Sequence, residues 1–131
     1  MFGLVSFLPF HFRPSEESDA NAEKDRYFQA VTAACCLVTM SSFKRLGGLN
    51  TNYLWCFDDI DYCLRVRASG GKVAYCGGTK IHHEESISLK KSGFSKIFMS
   101  QNVNTFKRDW TGKYTTDHEM YLRHPNHMVI V

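Results

Sequence analysis

The order of signals between residues 47 and 83 constrains this chain more than any other feature. Gly47-Gly48-Leu49-Asn50 comes first. Phe57-Asp58-Asp59-Ile60-Asp61-Tyr62-Cys63-Leu64-Arg65 follows, and then Gly77-Gly78-Thr79-Lys80-Ile81-His82-His83. A glycine pair ends one element, an acidic cluster opens the next, and a histidine pair closes an extended segment. Carboxylates at the start of a helix together with a distant imidazole are the usual ingredients of a general-base or metal-assisted site.

Local chemistry places these signals on elements. Val31 to Met40 is an uninterrupted apolar run with Thr and small residues, the pattern of a buried strand. Ser41 or Ser42 can cap a short helix reaching Leu46, which Gly47 ends in a left-handed conformation. Residues 50–57 form an aromatic loop. Ile60, Cys63 and Leu64 have helical spacing, so a helix is predicted from Asp59 to Ser69, closed by Gly70. The acids at its start face the positive end of the helix dipole. Lys72 to Cys76 and Thr79 to His83 are predicted as strands around a Gly77-Gly78 turn. Phe94, Ile97, Phe98, Gln101 and Thr105, with Val103 and Phe106 nearby, predict a helix from about Ser92 to Trp110. Pro14 to Lys24 reads as a loop, and Met128 to Val131 as a short edge strand.

The same ordered set resembles the acceptor-side half of family 2-type glycosyltransferases of the GT-A fold. It matches a buried strand, a Gly-Gly turn, an acidic motif opening a helix with Leu-Arg, and a strand-end histidine, over residues about 30 to 110. Asp58 stands where that family usually carries Glu, and Asn50 where it often carries Asp. The resemblance implies an α/β fold: a partial GT-A-like mixed sheet flanked by helices, as in nucleotide-diphospho-sugar transferases. Residues 1–29 are then an N-terminal segment and loop, 30–112 the C-terminal half of the domain, and 113–131 a tail. The family's nucleotide-binding half carries an Asp-x-Asp motif. None precedes residue 58, so the chain reads as a fragment whose donor-binding half lies on another segment.

By this resemblance Asp59 is the catalytic base and Asp58 orients the acceptor. Inverting transfer needs such a base to take the acceptor hydroxyl proton, and crowded acids raise one another's pKa toward a working range. Asp61, a turn further in, caps the helix or holds Arg65. Gly47 and Gly48 shape the preceding turn. Trp55 and Tyr53 are candidate stacking surfaces for an acceptor sugar, with packing in the core as the plain alternative. His83, with His82 as alternate, is the candidate ligand for a divalent cation, Mn²⁺ or Mg²⁺. Neighbouring strand residues face opposite ways, so only one of the two can reach the site. His118, His124 and His127 match no zinc spacing.

Composition narrows the rest. The chain has 131 residues, 44% of them hydrophobic, which bounds it to one domain at most and excludes a disordered chain. A net charge of +3 with dispersed basic residues argues against nucleic-acid binding. Five cysteines without Cys-x-x-Cys spacing fit a reducing, cytoplasmic setting. The apolar Met1 to Phe10 segment is too short to span a bilayer but can rest at a membrane surface. Partners implied are a nucleotide-sugar donor and a glycan, lipid-linked or protein acceptor. The alternative is a non-catalytic interaction module lacking the donor half. A metal-dependent hydrolase using Asp58, Asp59 and His83 would need a second ligand cluster, which the sequence does not offer.

Overall fold

The computed structural model describes residues 2–5, 8–11, 23–54, 56–81 and 95–115. Two short antiparallel pairs form the strands. β1 (Phe2–Val5) pairs with β2 (Leu8–His11), with Phe2 opposite His11 and Val5 opposite Leu8. β3 (Arg26–Tyr27) pairs with β4 (Ala74–Tyr75), and Phe28 N–H extends that ladder to the Val73 carbonyl at 3.0 Å. Three helices complete the order: α1 (Met40–Arg45), α2 (Asp58–Ala68) and α3 (Ser95–Trp110). Helices and small strands coexist, as an α/β class requires. The predicted strand at Lys72–Cys76 shrinks to two residues, and no strand forms over 79–81.

The predicted buried strand from Val31 to Met40 is a correction. Residues 33–35 form a single 3₁₀ turn, capped by the Thr32 hydroxyl. Residues 36–39 run extended and unpaired, and Leu37 is 100% exposed. A strand needs a neighbour for its N–H and C=O groups. Among the described residues none lies alongside, so apolar composition alone does not bury this run. The α1 cap is also displaced: Thr39, not Ser41 or Ser42, accepts from Ser42 N–H at 3.3 Å. Gly47 (φ 78°) ends the helix as predicted, and Gly48 N–H reaches back to the Phe43 carbonyl at 2.8 Å.

α2 follows its sequence pattern within one residue at its start. Ile60, Cys63 and Leu64 are buried, and Gly70 (φ 85°) terminates the helix with Gly71 N–H on the Val66 carbonyl. α3 ends at Trp110, as the sequence predicts, but its buried face differs. Asn102, Phe106 and Trp110 face the core, while Ile97 and Gln101 are exposed. The core joins Ala30, Tyr53, Phe57, Ile60, Leu64 and Phe106. Phe106 is fully buried, a contribution of about 1.5–3 kcal/mol by area. Among the described residues no helix is long and apolar enough to cross a membrane. The predicted edge strand at 128–131 lies outside the described residues.

Candidate active site at the start of the second helix

The acids owe their placement to an unusual backbone. Phe57 precedes α2 with φ 75°, a left-handed conformation that costs a bulky residue on the order of 1–2 kcal/mol. Core packing holds it there. Its ring lies 5.4 Å from Phe106 and stacks on Tyr53 at 6.4 Å with 9° between planes. The Phe57 carbonyl accepts from Asp61 N–H at 2.8 Å. The chain thus turns sharply and delivers Asp58 and Asp59 into the first helical turn.

Asp59 is half-buried and doubly held. One carboxylate oxygen accepts from Ala33 N–H at 3.0 Å and the other from its neighbour Ile60 N–H at 2.9 Å. Burial raises its pKa above the usual carboxylate range. The two N–H groups oppose the rise, and the charge of Asp58 adds to it. Each Asp59 oxygen keeps a lone pair, so the group can still accept a proton. Asp58 is half-buried and makes no hydrogen bond among the described residues. It is free to meet a ligand.

Asp61 has a different position. It is 2% exposed. Arg65 Nε donates to its Oδ2 at 2.7 Å, and Trp110 Nε1 donates to its Oδ1 at 2.9 Å. The Arg65 fork also reaches the carbonyls of Leu46 at 2.5 Å and Gly48 at 2.8 Å. One guanidinium therefore ties the Gly47-Gly48 turn to α2, and Asp61 ties α2 to α3. The Trp110 link was missing from the sequence reading, because nothing local relates residues 49 positions apart.

Tyr53 requires a correction as an acceptor platform. It is 5% exposed and its ring is covered by core side chains, so it offers no face to a sugar. Asn102, which the sequence reading also missed, fixes the loop beside it. Its side chain accepts from Leu54 N–H at 3.0 Å and donates to the Leu54 and Cys56 carbonyls at 2.7 and 3.0 Å. Trp55, His82 and His83 lie outside the described residues. Among the described residues no three His, Cys, Asp or Glu side chains are grouped to hold a metal ion. No step of the chemistry below is therefore routed through a cation. A cavity of about 410 Å³ lies at the other end of α2, bordered by Gln29, Arg67, Trp110, Lys113 and Tyr114; it holds none of the predicted site residues.

Comparison with known proteins gives two partial matches. The chain is 35% identical over 86 residues to an uncharacterized protein, y4gI, of Sinorhizobium fredii, covering 63% of this chain and 10% of that protein. It is 32% identical over 70 residues to the O-antigen biosynthesis protein RfbC of Myxococcus xanthus, covering 53% of this chain and 6% of that protein. The chain thus spans a tenth or less of the curated relatives it matches. No family model and no solved structure matches it.

Proposed function

We propose that this chain is the acceptor-side part of a nucleotide-sugar-dependent glycosyltransferase of the GT-A type. The observation that carries the reading is Asp59: a carboxyl with a raised pKa, fixed by two backbone N–H groups at a helix start. The partial likeness to an O-antigen biosynthesis protein supports the same direction. In this reading a hydroxyl of a glycan, lipid-linked or protein acceptor meets Asp58 and Asp59. Asp59 takes its proton as the oxygen attacks the anomeric carbon of the donor sugar, with inversion. The nucleoside diphosphate leaves on the opposite side, where a donor-binding half on another segment receives it. Held rigidly by Ala33 and Ile60, Asp59 need not reorganise during proton transfer, the circumstance in which fixed groups are most effective. Trp55 remains the proposed sugar-stacking residue, and His83, with His82 as alternate, the proposed ligand of a divalent cation.

A graft tests the reading. Residues 30–112 replace the matching segment of M. xanthus RfbC, and O-antigen synthesis is measured. The native graft is expected to support synthesis and the Asp59→Asn graft to lose it while remaining folded, since general-base loss costs about 10²–10⁴ in rate. A folded native graft that makes no O-antigen would favour the non-catalytic interaction module instead.

A further inference from the structure

Beside the acidic site lies a segment whose backbone groups are unused. Cys36 (φ −139°, ψ 150°) and Thr39 (φ −74°, ψ 137°) are both extended. Cys36, Leu37 and Val38 make no hydrogen bond among the described residues. Their side chains are exposed: Leu37 fully, Val38 at 42%, with Met40 beyond them at 64%. From Tyr27 to Phe43 the chain carries no charged residue and no proline. Those are the residues that ordinarily blunt a free edge against pairing. The segment is anchored at its start, where Asp59 holds Ala33 N–H, and at its end, where Thr39 caps α1. It is held extended before any partner arrives.

We infer that residues 36–39 are a strand-pairing surface for a second copy of this chain. The sequence suits a two-fold antiparallel pair. Cys36 of one copy stands opposite Thr39 of the other, and Leu37 opposite Val38, so each apolar or β-branched side chain meets another. No like charges face each other in this register, and the surplus positive charge of the molecule lies outside the run. Pairing satisfies the unused N–H and C=O groups and removes Leu37 and Val38 from water together. An isologous contact of this kind closes on itself.

The test is sedimentation equilibrium of the purified chain in reducing buffer, from micromolar to near-millimolar concentration. The weight-average mass is expected to rise from 15.1 kDa toward twice that value. Val38→Lys, which places two ammonium groups in the pair, and Leu37→Pro, which removes an N–H donor, should each weaken association at least ~10-fold. Neither residue is in the core, so far-UV circular dichroism should be unchanged. Ile97→Lys, at an exposed apolar position on α3, should leave association as it was. A monomer at every concentration overturns the proposal. So does association that both segment variants leave intact, or that Ile97→Lys disrupts equally.

Discussion

Asp59 and Asp61 are two residues apart on one helix, yet their surroundings assign them opposite work. Asp61 is neutralised by Arg65 and bonded by Trp110, so its charge is used within the fold. Removing it leaves a guanidinium and an indole N–H without their acceptor. Asp61→Ala is expected to lower unfolding stability by about 3 kcal/mol, as measured by urea titration, because breaking one side of a buried pair strands the other. Asp59 has no cationic partner among the described residues, and burial raises its pKa. The native state therefore holds the Asp59 proton more tightly than the unfolded chain does. Between the ordinary carboxylate pKa and the raised one, the native state binds more protons, so stability falls as pH rises through that window. Asp109, lowered by Arg108, has the opposite slope, so a single profile mixes the two. The thiols of Cys56 and Cys63, which also interact with Asp59, are raised by burial and stay neutral throughout the acid range. Comparing native chain with Asp59→Asn across the acid range isolates the effect: the variant should lose the descending component. Identical profiles would show that the Asp59 carboxyl is not perturbed.

At the level of elements, the loop between α1 and α2 depends on α3 through one residue. Asn102 is fully buried and replaces the strand partner that Leu54 and Cys56 lack. Asn102→Ala should cost about 1–3 kcal/mol for the groups left unsatisfied, and hydrogen exchange at the Leu54 amide should accelerate. An unchanged exchange rate at Leu54 would remove Asn102 from this role. Local signals made α2 readable: the period of Ile60, Cys63 and Leu64, the acids before them and Gly70 after them all act within one helix. The same holds for Gly47 and for the end of α3 at Trp110. What depends on distant partners was not readable. The run from Val31 to Met40 has the composition of a buried strand, but composition does not supply the neighbour that buries it. The face of α3 was misread because Asn102, a polar residue, occupies the buried side, where a hydrophobic pattern cannot reveal it. Asp59 was legible as a site candidate from its place at the helix start. Its bond to Ala33 was not, since the predicted strand would have used that N–H in a ladder.

The whole molecule bears on the donor. The chain spans 10% and 6% of the two relatives it matches, and the resemblance that motivates the proposed activity concerns the acceptor side. The cavity at the far end of α2 is the one place among the described residues where a nucleotide might be sought, because Arg67 and Lys113 border it. Those cations are not an unopposed anion site. The C-terminal ends of α2 and α3 border the same cavity, and each brings carbonyls with partial negative charge, roughly half an elementary charge per helix. Arg67 and Lys113 are placed to offset those helix ends, and little attraction is left over for a diphosphate. The chain by itself is therefore expected to bind UDP- and GDP-sugars, with Mn²⁺ present, more weakly than about 1 mM by calorimetric titration. Micromolar affinity would mean that donor contacts lie within these 131 residues, and the division of labour proposed above would fall. In that event Arg67→Glu and Lys113→Glu tell where the donor sits: loss of binding in both would place it in this cavity, and retention would place it elsewhere on the chain.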